Sequence, residues 1–109
     1  MELKDFEGRL IARLDIILKL LASLDLLKIN NPEKFHETEI KLISALNSID
    51  DSLKVQIEKS KVSSSVLLGQ KKNVRLALKA LGEDRTPEAA TFVSDAIKIG
   101  KDLVLASKK

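Results

Sequence analysis

The chain has 109 residues, of which 44% are apolar and 32% charged, with a formal charge of +3; this is one domain's worth of globular chain and not a disordered composition. It carries no cysteine, tryptophan or tyrosine and a single histidine, which excludes disulfides and thiolate metal sites and leaves no cysteine- or histidine-based nucleophile set. A charge of +3 demands no polyanionic partner, but it is unevenly spread: residues 1–58 hold eight Lys/Arg against eleven Asp/Glu, and residues 59–109 hold eleven against five.

Leucine, isoleucine, valine and alanine dominate, with only four glycines and two prolines, so the pattern predicts helices with few interruptions. The first, over about residues 3–28, repeats Leu3, Leu10, Ile17 and Leu24 every seven positions, with Leu14, Leu20, Leu21 and Leu27 beside them. Ile11, Ile16 and Leu18 widen the apolar arc past half the circumference and leave Asp15, Lys19 and Leu26 outermost. A helix so apolar is expected at the centre of a bundle or against another subunit. The apolar run Leu10 to Leu27 is broken by Arg13, Asp15, Lys19 and Asp25, so it reads neither as a membrane span nor as a signal peptide. The expected location is the cytoplasm.

Asn31-Pro32-Glu33 and Thr86-Pro87-Glu88 each supply a capping side chain, a proline that has no amide to lose, and an acid for the positive end of the helix dipole. They predict helix starts at 32 and 87. The second helix, about 32–60, carries Phe35, Leu42, Leu46, Ile49, Leu53 and Ile57 three or four residues apart, a bundle seam. A continuous helix from 33 to 81 would span about 73 Å; a break around 60–65, where Ser63-Ser64-Ser65 offers a cap, is expected instead, giving a third helix over 64–81 with Gly82 as its C-terminal cap. The last helix, about 87–107, places Ala89, Phe92, Val93, Ala96, Ile99, Gly100 and Leu103 on one face. The fold class expected is therefore all-α, a single domain over 1–109 forming an antiparallel bundle of three to four helices.

Glu33 and His36 have the Glu-x-x-His spacing of di-metal bundles, but such sites need two of these motifs and this chain has one histidine. Asp50-Asp51, Glu83-Asp84 and Glu37/Glu39 are carboxylate pairs outside any glycine-turn calcium loop. No phosphate-cradling glycine loop occurs. No metal, cofactor or catalytic residue is expected, and the chain reads as a non-enzyme.

From Lys59 to Gly82 the chain has six basic residues and no acid, interleaved with eight leucines and valines. Lys71, Arg75 and Lys79 stand four apart on one helical face with Lys72 adjacent, a ridge suited to an acidic protein surface. Without aromatic residues for base stacking or a recognition-helix turn, nucleic acid is the weaker partner. The stripe of the last helix reads as core, or as a lid over a groove that a partner's amphipathic helix would occupy.

The phrases Ile49-Asp50-Asp51-Ser52-Leu53-Lys54, Leu67-Leu68-Gly69-Gln70 and Leu76-Ala77-Leu78-Lys79-Ala80-Leu81-Gly82 resemble the third helical segment of flagellar export chaperones of the FliT type. Chain length and helix order also agree; where family members often carry an aromatic before the terminal glycine of that helix, this chain has Leu81. The resemblance implies a small cytosolic chaperone that holds the amphipathic helix of a secreted client. It would place Leu67, Val74, Leu78 and Leu81 in the client groove and Phe92 and Ile99 on a masking C-terminal helix. The four groove residues, together with Lys71, Arg75 and Lys79, are the candidate partner-binding residues. The expectation is a protein-binding module, with a basic adaptor for acidic protein or nucleic acid, or a structural subunit, as alternatives. A homodimer would be one way to cover an exposed groove.

Overall fold

The computed structural model describes residues 3–59 and 65–106, and these form four helices and no strands: α1 (Leu3–Asn30), α2 (Pro32–Lys59), α3 (Ser65–Gly82) and α4 (Thr86–Ala106). Each helix packs on two others, α1 on α2 and α4, α3 on α2 and α4, so the four run alternately up and down around one core. The all-α antiparallel bundle expected from the pattern is what the chain forms.

The core follows the seams read from the sequence. Leu10, Leu14, Ile17, Leu21 and Leu24 from α1 meet Leu42, Leu46, Ile49 and Leu53 from α2. Leu67, Val74, Ala77, Ala80 and Leu81 from α3 meet Ala89, Val93, Ala96 and Ile97 from α4. Burying each large aliphatic side chain contributes roughly 1.5–3 kcal/mol, and the alanines and Gly100 let α4 lie closest to its two neighbours. α1 has only α2 and α4 against it, so its wide apolar arc is not fully covered. Ile16, Leu26 and Ile29 are 61%, 64% and 81% exposed, and Leu20 is also exposed. The first helix is thus not central: like the others it packs on two neighbours, and within one chain its surplus apolar surface stays uncovered.

Between α1 and α2 stands only Asn31, whose Oδ1 accepts from Lys34 N (3.2 Å) and whose carbonyl accepts from Phe35 N (2.9 Å). That is the expected N-cap, with Pro32 at the first helical position. The second proline start is shifted by one residue: Arg85 carbonyl receives Ala89 N (3.0 Å), which puts Thr86 inside the helix, buried, and Arg85 at the cap.

The turn from α3 to α4 departs from the expectation for Gly82. No glycine has positive φ; Asp84 does, at 59°. Asp84 N bonds to Leu81 O (3.2 Å) and Arg85 N to Ala80 O (2.8 Å), the paired bonds of a Schellman ending with Asp84 in its left-handed position. Aspartate is among the few non-glycine residues that enter this region, so Gly82 is left as an ordinary last-turn residue. The segment 33–81 is two helices that pack against each other, not one rod; of the serines 63–65 expected to cap α3, Ser65 is its first described residue, and 63, 64 and the helix end at 107 lie outside the described residues.

Candidate functional site

The candidate residues of α3 divide by direction. Leu67, Val74 and Leu81 are buried in the core and Leu78 is half-buried against it. On α4, Phe92 is half-buried against that core, and Ile99 approaches Gly69 so closely that a Cβ there would sit 3.5 Å from Ile99 Cδ1. The apolar half of the predicted site is therefore covered by α4, as either ordinary core or a mask would be. The cationic half faces outward. Lys71, Arg75 and Lys79 share the outer side of α3 with Lys72, and together with Leu68 and Leu76 they line a shallow groove of about 430 Å³. Leu68 is 49% exposed.

One acid anchors this face from below. Asp50 of α2 accepts from Lys71 Nζ at 3.1 Å, and Arg75 Nε lies 3.8 Å from the same oxygen. Lys71 and Asp50 are mostly withdrawn from solvent, whereas Arg75 is largely exposed. Asp50 thus fixes the stem of the ridge and leaves Lys72, Arg75 and Lys79 to project. Sequence reasoning placed Asp50 in a solvated carboxylate pair; the residue that needs it lies 21 positions away on another helix. Leu68 and Leu76 were also missed as lining this groove, although their spacing from Leu67 and Val74 puts Leu68 on the flank of the helix, about 100° round, and Leu76 on the side opposite the seam.

Three further features bear on chemistry. A groove of about 500 Å³ between α1 and α2 is lined by Phe6, Arg9, Arg13, Ser48, Asp51 and neighbours, and Arg13 Nη2 donates across it to Ser48 Oγ at 3.1 Å. Glu33 and His36 are both exposed, and among the described residues no three His, Cys, Asp or Glu side chains come together as a metal site. In the interior, Glu7 of α1 and Gln70 of α3 are fully buried. Gln70 Nε2 donates to Glu7 Oε1 at 2.7 Å and to Ala96 O at 3.1 Å. Burial pushes the Glu7 carboxyl above the usual carboxylate range, with the Gln70 bond opposing because it favours the charged form. Both residues fall in phase with leucines of their seams, Glu7 with Leu14 and Leu21, Gln70 with Leu67, Val74 and Leu81. A polar residue in an apolar register was the available signal.

No described helix is long and apolar enough to cross a membrane. No protein-family model matches the chain, and no match was found among curated proteins or solved structures.

Proposed function

We propose that this chain is a non-catalytic protein-binding module whose outer α3 face receives an acidic amphipathic helix of a partner protein. The observation that carries the reading is the alternation on that face: Leu68 and Leu76 sit in one groove with Lys71, Lys72, Arg75 and Lys79. A partner helix with leucines on one stripe and glutamates along its edges would bury the two leucines and meet the three projecting cations, Lys72, Arg75 and Lys79. Such complementarity sets orientation and rate of encounter, and anchors spaced at three and four residues give the helix its grip.

The test uses a synthetic helical peptide with a Leu/Glu face of that kind, followed by fluorescence anisotropy at low and high salt. Saturable, salt-weakened binding is expected. The triple variant Lys72→Glu, Arg75→Glu, Lys79→Glu should abolish it with folding stability held within about 0.5 kcal/mol, the usual range for surface changes. A single-stranded oligonucleotide bound more tightly than the peptide at the same salt would assign the ridge to nucleic acid and overturn the reading.

A second reading, an export chaperone of the cytosol, uses the inner face of the same helix. It is favoured by one observation: α4 is the element that covers Leu67, Val74 and Leu81, with Ile99 seated on Gly69. A client helix would then take the place of α4. Truncation of residues 87–109 decides it: a folded core that binds apolar dye supports a mask, and loss of folding makes α4 permanent core. A homodimer is most economically formed through the uncovered strip of α1 at Ile16, Leu20, Leu26 and Ile29. Sedimentation of an Ile16→Lys, Leu26→Lys variant tests this, with a concentration-independent monomer in the wild type as the contrary result.

A further inference from the structure

A carboxyl group buried in the interior of a helical bundle is costly, and the geometry around Glu7 points to a specific use for it. Ala96 O, a backbone carbonyl of α4, can only accept a hydrogen bond. The part of Gln70 that faces it and Glu7 Oε1 is therefore nitrogen, and both amide protons are engaged. Left over are Glu7 Oε2 and Gln70 Oε1, both buried and without a hydrogen-bond partner. An amide oxygen has no proton to give, so of these two atoms only the carboxyl oxygen can become a donor. We propose that Glu7 is a proton-operated latch on α4: as the neutral acid it donates from Oε2 to Gln70 Oε1, completing an acid–amide pair beneath α4, and loss of that proton to solvent loosens α4 from α1 and α3.

α4 is the element that responds because it closes the pair from water. It contributes Ala96 O, and Gly100 lies directly over both side chains: a Cβ at that position would come within 2.5 Å of Glu7 Oε1 and 2.7 Å of Gln70 Nε2. An ionised carboxylate in this place loses its hydration and keeps one hydrogen bond, an expensive arrangement. Lifting α4 restores water to it. On α1 the neighbours Asp5 and Arg9 are exposed, and on α4 Asp95, Lys98, Lys101 and Asp102 are exposed. Lys101 lines a surface cleft with Gly8 and Ile11. On α3, Lys71 is engaged by Asp50, and on α2 Lys54 and Glu58 are exposed. Burial, opposed by the Gln70 bond, governs the proton affinity of Glu7. Release of α4 would uncover Leu67, Val74 and Leu81 on α3, so the latch sets when that inner face becomes accessible. It rests on the core geometry and not on the ridge of α3.

The test uses the full chain. Infrared spectra of the folded protein at pH 6 should contain a protonated-carboxyl band that is absent from the Glu7→Gln variant, because exposed Asp and Glu are ionised there. Hydrogen exchange of α4 amides, measured from pH 6 to 9 and compared with Glu7→Gln at each pH, should show opening that grows by up to tenfold per pH unit until Glu7 ionises in the closed bundle. If that variant does not fold, Glu7→Leu, which likewise cannot ionise, serves as the reference. Absence of the acid band at pH 6, or α4 exchange that tracks its reference across the range, overturns the latch.

Discussion

Lys71 of α3 reaches the Asp50 carboxylate of α2 at 3.1 Å, and Arg75 stands 3.8 Å from the same oxygen, so a single acid on one helix organises the base of a cationic face on the next. Replacing Asp50 by Asn removes that charge and leaves Lys71 half-buried with a weaker partner. Denaturant unfolding should register a loss of about 1 kcal/mol, the upper end for pairs that keep some solvent. Binding of an acidic helical peptide should move the other way, tightening at low salt, because the face has lost its one internal anion. Weakened peptide binding with unchanged stability would show that Asp50 positions the ridge for its partner and does not merely neutralise it.

The Schellman turn at the end of α3 gives a paired prediction. Asp84 holds φ at 59°, a region in which a Cβ is strained, and glycine there removes the strain. Gly82 has ordinary helical φ and open space where a Cβ would go, so alanine there removes only unfolded-state freedom. Asp84→Gly and Gly82→Ala should each raise stability by about 0.5–1 kcal/mol. If the two changes were instead both destabilising in thermal melts, the turn would not have this geometry in solution.

Most of the fold was legible in the chain because it is set by local rules. Asn31-Pro32-Glu33 starts its helix through bonds to residues three and four positions on, and the seams at Leu10, Leu14, Ile17 and Leu21 or Leu42, Leu46, Ile49 and Leu53 follow from helical periodicity alone. The site was half legible. Lys71, Arg75 and Lys79 align through their own spacing, but that Leu67, Val74 and Leu81 would be covered depended on where α4 comes to rest. The Asp50 anchor and the Glu7–Gln70 pair are products of tertiary register between distant segments, which one sequence leaves open. The glycine at 82 misled because aspartate two residues later takes the left-handed position, with the turn's hydrogen bonds running from Asp84 N and Arg85 N.

Gly100 tests how tightly the three helices meet. A methyl group there would press on Glu7 Oε1 and Gln70 Nε2 and touch Ile11 Cδ1 at 3.2 Å. These are ends of side chains, but they are buried and bonded to each other, so they have little room to yield. Gly100→Ala should cost about 1–3 kcal/mol as an overpacking change, opposed by the helix propensity gained. Combined with Glu7→Ala the cost of the added methyl should shrink, and a double-mutant cycle measures by how much. Full additivity would mean that Gly100 and Glu7 are not in contact.

The pH dependence of folding has a definite sign. Glu7 binds its proton more tightly in the folded chain than in the unfolded one, where a glutamate titrates at about 4.3. The stability it contributes as the neutral acid is full below that unfolded value. It is lost as pH rises towards and through the raised folded value, at up to about 1.4 kcal/mol per pH unit. Urea titrations from pH 5 to 9 should therefore show the wild type weakening with pH relative to Glu7→Gln, whose amide keeps the size and cannot ionise. The gap between the two proteins should open from pH 5 upward and stop widening once Glu7 is ionised in both states. Parallel curves would mean that the carboxyl is hydrated in the native bundle, and with that the buried acid–amide pair between α1 and α3 would lose its physical basis.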